Sequence, residues 1–241
     1  MITLKKLNLL CSRSELENLP EGKLLINTIN AYSYNNARKD SLFEEALVKG
    51  DVLIPDGVSV VRACRWLKGC TQPKERVAGW DLFVFEMHRL NRTGGKVMFL
   101  GSSEKVLSLI REKSVRLYPN LNVVTYSPPY KPHFSEEDDL NMVNAINEAN
   151  PDLLWIGMTA PKQEKWAYVN WNRLNIHCHV GTVGAVFDFF AGTYKRAPEI
   201  WQKYGLEWLY RLLKEPRRMW RRYIIGNIQF MFYVFKEKFG I

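Results

Sequence analysis

Short apolar runs alternate with amphipathic stretches along most of the chain. KLLINTIN at 23–30 reads as a buried strand, and AYSYNNARKDSLFEEALVKG at 31–50 as a helix ending at Gly50. DVLIPDG at 51–57 is a short strand closed by a turn signal, followed by helical patterns near 58–68 and 79–92. KVMFLG at 96–101 predicts a strand, 103–117 a helix stopped before Pro119, and NVVTYS at 122–127 a strand leading into the proline-rich SPPYKPHF. Ser135 has the look of a helix N-cap, with Asp138 three residues on and Glu136 and Glu137 in the first turn. DLLWIGM at 152–158 is a further strand, 162–174 a helix, and IHCHVGTVGAVF begins as a strand.

This alternation predicts an α/β fold, a mostly parallel sheet with helices on both faces. In such sheets ligands bind beyond the carboxyl ends of the strands. The strand ends here are Thr28 and Asn30, Asp56 and Gly57, Gly101 to Ser103, Ser127 to Tyr130, and Thr159 to Gln163. They are expected to line one cleft.

Composition changes this picture at one end of the chain only. The 241 residues are 46% hydrophobic and 24% charged, an ordinary globular balance that argues against disorder or a disulfide scaffold. Four cysteines suit a reduced, cytoplasmic protein, and MITLKKLNLLCSRSE makes a poor signal peptide. The net charge of +9 is concentrated. Residues 190–241 hold 11 Lys+Arg against 4 Asp+Glu, and 13 of the 31 aromatic residues. A nearly neutral body therefore carries a basic, aromatic tail, suited to an anionic membrane surface, nucleic acid or a phosphorylated ligand.

The tail reads as two helices broken by Pro216. Arg211, Arg217, Arg218, Arg221 and Arg222 form a dense basic set, and Arg218, Arg221 and Arg222 can share a helical face. The apolar run 223–235 is too short to span a bilayer but fits a helix lying in the interface. The other reading is a hairpin packed on the body or in an oligomer contact. Nucleic acid is disfavoured because apolar residues continue past the arginines.

The chain has no GxxxxGK[ST] loop, GxGxxG fingerprint, GxSxG elbow or HExxH site. FLGSSEKV can hold a phosphate at a helix start, or simply supply a turn glycine and an N-cap serine. Asp56, in IPDG, can accept a proton from an attacking hydroxyl, or simply form the turn before Gly57. Asp81 reads as structural, and Asp188 as a buried hydrogen-bonding group. His177 and His179 alternate on an expected strand but lack a third ligand, so no metal site is expected.

The blocks NTINAYSYNNAR, IPDGVSVVRA, ERVAGWDLF, VMFLGSS, PDLLWIGMTAPKQEKW, VGAVFDFFAGTYKRAP and GLEWLYRLLKEPRRMWRRY, in this order, resemble the WecG/TagA/CpsF glycosyltransferases. The resemblance covers nearly the whole chain. It implies a Rossmann-like catalytic domain at 1–190 and a membrane-associating helical appendage at 191–241. It also implies an inverting, metal-independent transfer with no cofactor. A sugar, N-acetylmannosamine or its uronic acid, would pass from a UDP-sugar to an undecaprenyl-pyrophosphate-linked sugar at the inner face of the cytoplasmic membrane, for cell-surface polysaccharide. By resemblance, Asp56 is the catalytic base. Thr28, Asn30, Arg76 and Gln163 are substrate-binding, Gly101 and Ser102 lie near the nucleotide, and Arg211, Arg218 and Arg221 contact diphosphate. Thr159, Thr182 and the SPPYKPHF loop depart from the family pattern near the expected nucleotide and sugar pocket. Two further readings follow. Some family members look like non-catalytic enhancers of a partner transferase, and a tail this apolar can be covered by homo-oligomerisation.

Overall fold

In the computed structural model, which describes residues 1–240, six strands form one parallel sheet in the order β2-β1-β6-β5-β3-β4. The strands are β1 (Leu24–Ile29), β2 (Val52–Pro55), β3 (Gly95–Gly101), β4 (Leu121–Tyr126), β5 (Leu153–Gly157) and β6 (His179–Thr182). The body helices are α1 (Ala31–Ala37), α2 (Ser41–Val48), α3 (Val58–Leu67), α4 (Gly79–Thr93), α5 (Glu104–Leu117), α6 (Glu136–Ala149), α7 (Lys162–Asn170) and α8 (Val186–Ala191). The α/β fold expected from the alternation is the one observed.

The central strands β3 and β5 carry the apolar runs VMFL and LLWI because both sheet faces are covered there. Val97 and Phe99 point to one side and join Phe83, Leu107 and Phe187. Met98 and Leu100 point to the other and join Met142, Ile146 and Trp166. A third cluster gathers Ile29 and Leu53 with Tyr34, Phe43, Val60 and the N-terminal Leu4, Leu7 and Leu9. Fully buried Trp155 and Phe83 pack at 5.2 Å between ring centroids, each burial contributing roughly 3 kcal/mol.

The chain departs from the expected elements in three places. The helix expected over 31–50 is two helices, because Asp40 accepts the Phe43 N–H at 3.0 Å and starts a new one. The helix expected over 162–174 ends at Asn170 and tightens into a 3-10 turn at Trp171–Arg173. His177 lies outside β6 and is exposed, so it shares no strand face with His179. His179 is buried, its ring nitrogens 2.9 Å from Glu86 Oε1 and 2.9 Å from the Pro20 carbonyl.

After α8 the tail forms α9 (Glu199–Lys203), α10 (Glu207–Lys214), α11 (Pro216–Trp220), a π-helical turn at Arg221–Ile225 and α12 (Gly226–Phe239). Pro216 breaks the path as expected, taking the first position of α11, where its missing N–H costs nothing. Helix α12 is docked on the body along one face. Phe230 and Val234 are buried in the third cluster, and Phe230 meets Tyr34 edge-on at 5.5 Å. Glu237 accepts the N–H groups of Leu4 at 3.0 Å and Lys5 at 2.6 Å, and the Tyr34 hydroxyl at 3.0 Å. The opposite face of α12 exposes Ile228, Met231, Phe232, Phe235 and Phe239.

Candidate active site

The carboxyl ends of β1, β2, β3, β5 and β6 open into one cleft of about 1680 Å³, closed on its far side by α10, α11 and the π-helical turn. Every residue selected from the sequence as a site candidate reaches it except Gly101, which sits buried directly behind Ser102. The sheet order explains the convergence. The chain leaves β1 for β2 at one edge and crosses to β3 on the other side, so the loops diverge and leave a crevice between them.

Asp56 follows β2 directly, and its backbone N–H is held by the Ile29 carbonyl at 2.9 Å. Its side chain is only 26% exposed. Arg76, in the loop before α4, approaches Asp56 Oδ1 through Nη2 at 3.1 Å and Nε at 3.4 Å. The same Nη2 lies 2.8 Å from Glu207 Oε2 at the start of α10. Burial pushes the Asp56 carboxyl above its ordinary value. The Arg76 charge pulls it down, and Glu207 and Asp81 push it up again. The result is a carboxylate with stronger affinity for a proton than a free aspartate, positioned at the wall of a cleft.

Around it, most of the polar groups are fixed by the scaffold. Asn30 caps α1, its Oδ1 accepting from Tyr32 N–H at 3.0 Å and Ser33 N–H at 3.1 Å, which leaves its amide nitrogen as the group it can offer. Thr28 is half-buried, with Gly79 packed close to its methyl group. Gly101 has φ +122, and a Cβ there would lie 2.4 Å from the Gly157 carbonyl oxygen. Glycine is therefore what lets β3 and β5 end side by side. Ser102 itself adopts φ +60, and its carbonyl accepts from the Ser127 hydroxyl at 2.8 Å. This turn delivers the chain to the N-terminus of α5, where Ser103 caps the helix.

Gln163 is buried, its Oε1 accepting the Met158 N–H at 3.1 Å and its Nε2 donating to Glu164 Oε1 at 2.8 Å. Both ends of its amide thus order the loop after β5. Glu164 was not singled out by the sequence. It borders the cleft with an Oε2 that has no hydrogen-bond partner among the described residues, and burial pushes its carboxyl up to about 7. Thr182 is buried and donates to Asn27 Oδ1 at 2.7 Å, so that departure from the family pattern does not face the cleft, whereas Thr159 does. Asp188 is half-buried, not buried as the sequence suggests, and accepts from Thr193 at 3.2 Å.

The tail contributes the positive wall. Arg211, Arg218, Arg221 and Arg222 all line the cleft. Arg218 pairs with Glu215 at 2.8 Å. Arg222, which the sequence groups on one helical face with Arg218 and Arg221, stacks over Tyr32 at 4.4 Å. Among the described residues, no three His, Cys, Asp or Glu side chains gather into a cation site, and no helix is long and apolar enough to cross a membrane.

A protein of Bacillus subtilis named N-acetylglucosaminyldiphosphoundecaprenol N-acetyl-beta-D-mannosaminyltransferase is 30% identical over 198 residues, 82% of this chain and 74% of the relative. A protein of the same name from Bacillus spizizenii is 30% identical over 186 residues, 77% of this chain and 69% of the relative. The pattern of one glycosyl transferase family matches residues 8–241. With its parallel sheet, its strand-end cleft and this match over nearly its whole length, the chain belongs to the WecG/TagA/CpsF family of glycosyl transferases.

Proposed function

We propose that this chain transfers N-acetylmannosamine, or its uronic acid, from a UDP-sugar to a sugar carried on undecaprenyl diphosphate, with inversion at the anomeric carbon. Asp56 is the base. It takes the proton of the acceptor hydroxyl as that oxygen bonds to the anomeric carbon and the bond to the departing UDP breaks. The observation that carries this reading is the placement of Asp56. It stands at a strand end, half-buried in the cleft wall, with Arg76 on Oδ1 and, among the described residues, no protein donor on Oδ2.

The leaving diphosphate needs positive charge, and the cleft supplies it from protein groups. Arg211, Arg218 and Arg221 line the same space, and the turn at Gly101 and Ser102 aims the α5 N-terminus toward it. These groups support a reaction that does not depend on a metal ion. Thr28, Asn30 and the loop held by Gln163 are assigned to positioning the sugars.

A lipid-linked acceptor requires the cleft to open at a membrane. The tail that forms the arginine wall also exposes apolar side chains on α10, α11 and α12, so the proposed location is peripheral, on the inner face of the cytoplasmic membrane. The test is UDP release from UDP-N-acetylmannosamine with a polyprenyl-diphosphate N-acetylglucosamine acceptor. Acceptor-dependent release that survives EDTA and collapses in Asp56→Asn is the expected result. Release that requires an added divalent ion would overturn the metal-independent reading. An active Asp56→Asn would remove Asp56 as the base.

A further inference from the structure

The ion pair between the body and the tail at Arg76 has a geometry that simple charge pairing does not require. An arginine facing one carboxylate favours a fork in which two nitrogens meet two oxygens. Arg76 instead brings both Nε and Nη2 to Oδ1 of Asp56, at 3.4 and 3.1 Å. Its Nη2 is at the same time 2.8 Å from Oε2 of Glu207. A second cation stands on the other side of Glu207, at ion-pair distance without a hydrogen bond. Glu207 Oε1 lies 3.5 Å from Nε of Arg196, whose guanidinium packs over Trp80 at 5.2 Å. The approach of α10 that makes this possible depends on Gly205. Its φ of +70 turns the chain, and a Cβ there would lie 2.8 Å from a methyl of Val58, two residues beyond Asp56.

We propose that Glu207 is a positioning residue for the transfer: by holding one arm of Arg76, it keeps the guanidinium from closing on both oxygens of Asp56, so that seating α10 on the body leaves Oδ2 free to take the acceptor proton. This rests on the reading of Asp56 as the base and adds to it a link between tail and chemistry. Deleting the tail would then do more than remove arginines and lipid contact. It would release Arg76 onto Asp56 and weaken the base. The charged groups facing Asp56 are Arg76, Glu207 and, from the first turn of α4, Asp81, which is paired at 3.2 Å with Arg13. Arg196 faces it only through Glu207.

The sign of the effect follows from these charges. Removing the negative charge of Glu207 leaves Arg76 to Asp56 alone and favours its ionised form. In Glu207→Gln the acidic limb of the kcat profile, which reports protonation of the base, should therefore move to lower pH. A weaker base should also lower kcat about tenfold at neutral pH, with the KM for UDP-N-acetylmannosamine within about twofold of the native value. Glu207→Asp, with a retracted carboxylate, should lie between the two, and carries the test if Glu207→Gln does not fold. A carbon-13 NMR titration of the Asp56 carboxyl, assigned by its loss in Asp56→Asn, should show the same downward displacement with no substrate present. If both limb and NMR titration stay put while kcat falls, Glu207 is a structural tie only and the proposal is overturned. If instead Asp56→Asn keeps its activity, the base itself is misassigned, a failure separate from that of Glu207.

Discussion

Asp56 is costly to the fold, and the cost is measurable. Its carboxyl is raised above the ordinary value, chiefly by burial and further by Glu207, against the pull of Arg76. A group raised in this way favours the folded state below the ordinary carboxylate range, and that contribution is lost as pH rises through its folded value. Asp56→Asn should therefore hold or raise Tm near pH 8 while transfer falls by at least about a hundredfold. A drop in Tm on thermal denaturation would mean that the carboxylate is needed mainly to hold Arg76. Glu164 offers a cleaner case at the same scale. Burial places its carboxyl at about 7, and its Oε2 has no partner among the described residues. Stability should fall as pH rises from the ordinary glutamate range to about 7, by on the order of 3 kcal/mol. Glu164→Gln, which can still accept from Gln163, should flatten that fall and raise Tm at pH 8. Denaturant titrations of both proteins at pH 5 and pH 8 decide it. An equal slope with pH in the two would show that Glu164 is not the group responsible.

Elements in this chain are joined by a few polar ties at their ends, and these were the least legible part of the sequence. Helix α12 is held by Glu237, which accepts two backbone N–H groups from Leu4 and Lys5 and the hydroxyl of Tyr34. Glu237→Ala leaves those donors unsatisfied at the rim of the third core cluster, and should cost about 2 kcal/mol in urea unfolding. An unchanged midpoint would show that Phe230 and Val234 alone secure the helix. Strand positions were readable because a sheet covered on both faces demands unbroken apolar runs such as VMFL and LLWI. The strand-end rule then selected Asp56, Thr28 and Ser102 without reference to distance. The division of 31–50 is hard to read from periodicity, because the charged break Arg38–Asp40 is shorter than one helical turn and resembles a solvated face, although Asp40 followed by Ser41 is a recognisable cap. Glu207 had no comparable signal. It stands on an amphipathic helix like any surface glutamate, and its partner Arg76 is distant in sequence, so only the docked tail reveals the pair. The two faces of α12 were indistinguishable for the same reason: FMFYVF is apolar all round, and packing alone decides that Phe230 and Val234 turn inward while Met231, Phe232 and Phe235 turn out.

At the scale of the whole molecule that division determines which experiments can test the tail. Removing residues 191–241 would strip Phe230 and Val234 from the body's core along with Glu207 and the arginine wall, so loss of activity in such a truncation would have several causes. Substitutions confined to the outer face do not share this defect. Ile228, Met231 and Phe235 are 65%, 68% and 50% exposed and lie away from the Tyr34 contact. Lys214 and Arg217 are exposed on the helices before them and lie outside the cleft, placing positive charge beside the apolar side chains where anionic headgroups would meet both. Each outer side chain entering the interface contributes at least about 1 kcal/mol. The triple replacement of Ile228, Met231 and Phe235 by Asn should thus weaken binding to phosphatidylglycerol vesicles by at least about a hundredfold, with Tm preserved because the inner face is untouched. Salt should weaken native binding by screening the basic residues without abolishing it, since the apolar contribution remains. The same variant should retain turnover of a water-soluble, short-chain acceptor, because no altered side chain belongs to the cleft. Vesicle sedimentation at low and high salt, beside that soluble assay, separates lipid seating from catalysis. Undiminished sedimentation of the triple variant would move the membrane contact to another face of the protein.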